Sequence, residues 1–143
     1  MEVRAVQPPE IETVRQLLAA NGWERRVSDA DQFRELIARS QLAIVAVVDF
    51  QVVGFLRALT DGLATGYISM VVVAEAHRGR GVGTALVRAA IAGDKRMTWV
   101  LRAGRPGVSG FYEKLGFALS QVAMERPGEK AGRPADEVIG GAG

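Results

Sequence analysis

The stretch Tyr67-Ile68-Ser69-Met70-Val71-Val72-Val73-Ala74-Glu75-Ala76-His77-Arg78-Gly79-Arg80-Gly81-Val82-Gly83-Thr84-Ala85-Leu86-Val87 decides the fold. Residues 67–73 read as a strand whose last four residues are continuously apolar, the mark of a strand covered on both faces. Glycines alternating with arginines follow. Leu86, Val87, Ala89, Ala90 and Ile91 then outline a helix ending near Gly93. A strand, a glycine-rich turn and a helix in immediate succession make a generic anion site, because the first helical turn carries unpaired N–H groups and the positive end of the dipole. Gly79, Gly81 and Gly83 allow tight turns and remove side chains that would hold a diphosphate away, while Arg78 and Arg80 add charge.

Several phosphate loops share this logic, and their spacings separate them. A P-loop needs a GK[ST] ending, whereas this loop runs Gly83-Thr84 with no lysine. A dinucleotide fingerprint needs a third glycine where Thr84 stands, an opening strand before it and an acid about 20 residues beyond. None of these is present.

Outward from the loop, the chain alternates strands and helices. Val3 to Val6, closed by Pro8-Pro9, reads as a first strand. Ile11, Val14, Leu17 and Leu18 recur at helical spacing up to an Asn21-Gly22 stop. Ser28 is the expected N-cap of a second helix, with Asp31 three residues on and Phe33, Leu36 and Ile37 as its buried stripe. Leu42 to Val48 and Val52 to Leu59 form a hairpin broken at Asp49-Phe50-Gln51. After the glycine helix, Met97 to Ala103 alternates as a strand, and Val108, Phe111, Tyr112 and Leu115 define a short helix stopped by Gly116. Phe117 to Leu119 and Val122 to Glu125 are expected to make one last strand pair. The resulting order is β-α-α-β-β-β-α-β-α-β-β, an α+β domain on a mixed sheet.

Charge and composition narrow the function. The 143 residues carry 18 Lys+Arg and 16 Asp+Glu, a formal net charge of +2, but residues 75–105 alone hold seven basic and two acidic side chains. The basic excess therefore surrounds the glycine loop, which points to an anion. Cysteine is absent, so there is no disulfide, thiolate metal site or thiol nucleophile; with His77 as the lone histidine, neither a metal centre nor a Ser/His/Asp triad is expected. The start lacks the form of a signal peptide, and the longest apolar run is too short to span a membrane, so a soluble cytoplasmic protein is expected. From residue 127 onward glycine and proline dominate. A domain over 1–126 with a flexible tail over 127–143 is the expected organisation.

Two segments carry a family resemblance. Arg78-Gly79-Arg80-Gly81-Val82-Gly83 is similar to the R/Q-x-x-G-x-G/A signature of the GNAT superfamily of acyl-CoA N-acyltransferases, and Phe111-Tyr112-Glu113-Lys114-Leu115-Gly116-Phe117 resembles that family's FYEKLGF segment. The resemblance covers roughly residues 2 to 126. It implies a mostly antiparallel central sheet of 6–7 strands with about four helices on both faces, and transfer of an acetyl group from acetyl-CoA to a primary amine by direct attack in a ternary complex. By the same resemblance, Arg78, Gly79, Arg80, Gly81, Val82, Gly83 and Thr84 hold the pyrophosphate of coenzyme A. The main chain of Val71, Val72 and Val73 pairs with its pantetheine arm like an added strand. Tyr112 serves the departing thiolate as proton donor.

Departures from the family pattern matter as well. Many relatives place an acid on the strand before the loop, where this chain has Ser69 and Met70. Trp23, Glu24, Tyr67 and Ser69 are the candidate acceptor wall, with Glu24 and Asp61 as alternative bases. A small-molecule amine or a peptide amine is the expected partner, with no nucleic acid or membrane, and the protein a monomer or homodimer. Two competing readings remain at this level. One is a CoA-binding sensor that has lost its chemistry, motivated by the missing strand carboxylate; the other is a nucleic-acid binder using the basic stretch.

Overall fold

The computed structural model describes residues 1–105 and 107–129. Five strands form one sheet in the order β1-β2-β3-β4-β5, with β1 Glu2–Ala5, β2 Leu42–Val48, β3 Gln51–Thr60, β4 Thr65–Val73 and β5 Thr98–Leu101. The first three pairings are antiparallel and β4 with β5 is parallel. Four α-helices accompany the sheet: α1 Ile11–Leu18, α2 Ala30–Ala38, α3 Val82–Ala90 and α4 Val108–Glu113. The parallel pair needs a crossover, and α3 supplies it.

β3 lies at the centre and is buried over residues 53–56 in succession, so both of its faces are covered. On one face α3 approaches so closely that a Cβ at Gly54 would lie 2.9 Å from Val82 Cγ1 and 3.0 Å from Leu86 Cδ1. Side chains alternate along a strand, which puts Val53, Phe55 and Arg57 on the opposite face, toward α1 and α2. Val14, Leu18, Phe33 and Ile37 fill that side.

Local chemistry explains most boundaries. Gly22, at φ +96°, turns the chain after α1, and Asn21 Nδ2 donates to the Leu17 carbonyl at 2.8 Å to hold the turn. The N-cap of α2 is Asp29, one residue later than expected. Its carboxylate accepts from Gln32 N at 3.0 Å, whereas Ser28 Oγ turns back to the Arg25 carbonyl. No helix among the described residues is long and apolar enough to cross a membrane.

The expected final strand pair does not form, and among the described residues the sheet has five strands rather than six or seven. Gly116, at φ +94°, ends the turn after α4, and Phe117 N donates back to Tyr112 O at 3.1 Å. Ser120 Oγ then accepts from Val122 N and Ala123 N, a side-chain turn in the place of a strand ladder. Leu119, Val122 and Met124 are left exposed, and an Arg102–Glu125 ion pair at 2.7 Å ties the segment to the end of β5. Of the expected tail, residues 127–129 are exposed coil, and 130–143 lie outside the described residues.

Candidate active site

β4 is the strand on which the site is built, because its two halves have different neighbours. Thr65 to Ile68 pair with Thr98 to Leu101 of β5, and there the ladder stops. Ser69 to Val73 keep β3 on one side and have no strand on the other among the described residues. The register with β3 slips at the same place, where Arg57 faces Met70 and Ala58 faces Ile68, so Ser69 is an extra, bulged residue. Beyond the bulge the sheet opens, and Val71, Val72 and Val73, fully buried, form an edge with no partner strand among the described residues.

The glycine loop closes one end of this opening. Gly79 and Gly81 adopt φ +74° and +85°, left-handed conformations that strain any L side chain, and no protein atom lies within 4 Å of a Cβ built on either. The space in front of them is open. Gly81 is also the N-cap of α3, without a side-chain cap. Ala85 is the first residue to bond back into the helix, and none of the six N–H groups from Gly79 to Thr84 donates to a protein acceptor among the described residues. Six consecutive free donors at a helix N-terminus form a cradle for an anion. Arg78 ties this cradle to the strand, donating from Nε to Val73 O at 3.2 Å and from Nη2 to Asn21 Oδ1 beyond α1. Arg80 is exposed beside it.

Tyr112 sits elsewhere, on α4. Its ring packs edge-on against Phe111 and Phe117, with centroids 4.9 and 5.7 Å away, and is only 1% exposed. Its hydroxyl has no partner among the described residues. Burial pushes the phenol well above its usual range, so it stays protonated. A cavity of about 170 Å³, bounded by Trp99, Leu101, Ala103, Phe117 and Leu119, opens onto it. No hydrogen bond or ring contact links Tyr112 to β4 or the glycine loop.

The candidate acceptor residues separate into core and surface. Trp23 is buried at 2% exposure as part of the core, with Arg26 stacked 5.5 Å from its ring centroid. Glu24 is exposed, Tyr67 half-buried and Ser69 buried. Asp61 is poorly suited as a base. Its Oδ1 accepts from the amides of Leu63, Ala64 and Thr65 at 2.8, 2.7 and 3.1 Å, which holds the carboxyl below its ordinary range.

One polar residue at the bulge escaped sequence reasoning. Arg57 donates from Nε to Ser40 Oγ at 2.7 Å and from Nη1 to Ser69 Oγ at 2.8 Å. It is half-buried, and desolvation and the charge of Arg26 lower its pKa. The available signal was an arginine in the run Val53-Gly54-Phe55-Leu56-Arg57-Ala58, at a position whose alternation with Phe55 turns it inward.

A strand opened beside a bulge, feeding a bare glycine cradle and a crossover helix, defines an acyl-CoA transferase fold, and the family comparison agrees. The GNAT acetyltransferase domain model matches residues 39–119, and the chain belongs to that family. A structure described as a transcriptional regulator from Bacillus halodurans C-125 is similar at 26% identity, covering 88% of this chain and 98% of that one with a TM-score of 0.66. A GNAT-family acetyltransferase of Streptococcus pneumoniae TIGR4 shares the fold at 19% identity over 88% and 97%, with a TM-score of 0.66. An aminoglycoside 6'-N-acetyltransferase complexed with coenzyme A shares it over 63% of this chain and 53% of that one, at 24% identity and a TM-score of 0.55. Compared with curated protein sequences, the chain has no significant match. The family draws on acetyl-CoA, and the residues here fit that group: the free amides and open glycines suit a pyrophosphate, and the orphaned Tyr112 hydroxyl suits a sulfur acceptor.

Proposed function

We propose that this chain transfers an acetyl group from acetyl-CoA to a primary amine, by direct attack with both substrates bound. The observation that carries the reading is the run of six free amides beside the open edge of β4. When bound, acetyl-CoA supplies a thioester whose carbonyl carbon an amine can attack, forming the C–N bond as the C–S bond breaks. The amides from Gly79 to Thr84, with Arg78 and Arg80, hold the pyrophosphate, and the edge from Val71 to Val73 aligns the arm.

Within this reading Tyr112 Oη donates a hydrogen bond to the departing sulfur. Full transfer is uphill, since a phenol ordinarily titrates near ~10 and a thiol near ~8.5, and burial raises the phenol further. The hydroxyl therefore stabilises the thiolate with its proton still mainly on oxygen. Neither Ser69 nor Met70 is a base, so the amine arrives neutral and the proton released as the C–N bond forms leaves through water.

Thiol release measured over a panel of amines tests the reading. Tyr112→Phe is expected to lower kcat about 100-fold with the KM for acetyl-CoA nearly unchanged, and to fold at least as stably, because it removes an unpartnered buried hydroxyl. Unchanged kcat in this variant would remove Tyr112 from the mechanism. In the parent, kcat/KM should rise with pH toward the acceptor's own pKa and show no decline from Tyr112 ionisation below about pH 10, since the raised phenol remains protonated there. A second reading, a CoA-responsive regulator without turnover, is favoured by the missing strand carboxylate and by the relative described as a transcriptional regulator. Tight CoA binding with no thiol release from any amine would select it.

A further inference from the structure

Arg57 is a half-buried cation at the point where β4 departs from β5, and no acid among the described residues neutralises it. Both of its protein partners are serine hydroxyls, Ser40 Oγ and Ser69 Oγ, and no carboxylate pairs with it among the described residues. Burying a cation without a counter-ion is costly, and folds commonly avoid it by pairing. A structural arginine serving only to tie β3 to the end of α2 would gain from an acid at position 40 or 69, yet both positions carry neutral hydroxyls. Two hydroxyls fix the guanidinium plane while leaving its charge uncompensated.

Three N–H donors are left, one on Nη1 and two on Nη2; Nη2 bonds to no protein group among the described residues, and it does not number among the polar atoms sealed from solvent. The guanidinium is therefore anchored through Nε and one N–H of Nη1, which leaves Nη2 and the second N–H of Nη1 as a pair of donors. A planar fork held in this way suits a carboxylate, which accepts with two oxygens in the same plane. Burial, and after it the charge of nearby Arg26, lower the Arg57 pKa, while Tyr67 acts in the opposite direction. Asp61, the acid of the adjoining β3–β4 turn, is engaged by three amides of its own loop.

Position turns this charge into a statement about substrate. Ser69, which orients Arg57, is the bulged residue at the mouth of the open cleft. We infer that the acceptor is an amine that also bears a carboxylate, an amino-acid-like molecule whose carboxylate is held by Arg57 while its amino group faces the cleft. This rests on the acetyltransferase reading above and deepens it. A polyamine or an aminoglycoside, carrying only positive charge, would be repelled from the same place.

Matched acceptor pairs test the inference: amino acids against their primary amides and decarboxylated amines, measured by thiol release and, independently of turnover, by calorimetric binding to the CoA-loaded protein. At least tenfold higher kcat/KM for a carboxylate acceptor over its amide is expected. Arg57→Gln should raise KM for the carboxylate acceptor at least tenfold and erase the preference, with KM for acetyl-CoA unchanged. Arg57→Lys, which keeps the charge and lacks the fork, should recover part of it. Equal use of acids and amides by the parent, or binding of carboxylates undiminished in Arg57→Gln and Arg57→Lys, overturns the inference. Failure of the transferase reading is distinct: no thiol release from any amine, with carboxylate binding still dependent on Arg57, would leave the carboxylate site standing.

Discussion

Two turns in this molecule force the backbone into left-handed conformations, and they do so with opposite residues. The β2–β3 hairpin turns through Asp49 and Phe50, at φ 48° and 65°, with no glycine and with the Phe50 ring wholly exposed. The loop before α3 turns through Gly79 and Gly81, at φ +74° and +85°. Strain alone does not explain the glycines, since the hairpin accepts comparable strain on two side chains. Nor does packing, since no protein atom lies near a Cβ added at Gly79 or Gly81. The difference lies in what stands in front of each turn. Phe50 projects into water, whereas a Cβ at Gly81 meets open space within a run of six amides that bond to no protein acceptor among the described residues. On the proposed function, glycine in the second turn keeps room for the pyrophosphate.

The largest expected effect follows directly. Gly81→Asp places a carboxylate in the cradle and should weaken acetyl-CoA binding on the order of 100-fold, about 3 kcal/mol, by calorimetry, while the protein still folds by circular dichroism. An unchanged affinity would reduce the two turns to the same kind. A smaller effect is expected at a third turn, where Asp61 collects three amides beside Gly62 at φ +71°. Asp61→Asn should lower Tm at neutral pH. The carboxyl is held below its ordinary pKa, so its contribution is complete above the unfolded value near ~4 and disappears as pH falls through the lower folded value. The gap in Tm between parent and Asp61→Asn should therefore close in acid. The smallest effect belongs to the hairpin: replacing Asp49-Phe50 with Asn-Gly should stabilise by about 1 kcal/mol and leave acetyl-CoA affinity unaltered. A fall in affinity would show that the hairpin tip serves the site.

Much of this arrangement was legible in local patterns. The glycine and arginine alternation located the cradle, and helical spacing placed Tyr112 on α4, because both signals lie within single elements. Features that join elements were not legible. The bulge at Ser69 depends on the register between β3 and β4, and the clasp from Arg78 to Asn21 spans 57 residues. Arg57 falls between these cases: its inward position follows from strand period, but its lack of an acidic partner depends on which ends of α2 and β4 meet it. The final strand pair was misread because apolar content at Phe117, Leu119 and Val122 resembled a ladder, while the Ser120 turn that prevents one leaves a weak compositional mark.

The clamp at the closed end of the cleft sets a length. Trp99 lies over Gly66 so tightly that a Cβ there would come within 2.3 Å of the ring, which fastens β5 to β4 below Ile68 and leaves the opening to begin at Ser69. From Ser69 to Val73 the edge without a partner strand among the described residues runs five residues, and at a strand rise of about 3.3 Å per residue that is roughly 16 Å. The sheet is thus a ruler with a stop at each end, the glycine cradle and the bulge. On the proposed acetyltransferase reading, a donor arm anchored at the cradle has to match that length to bring its acyl group to Ser69.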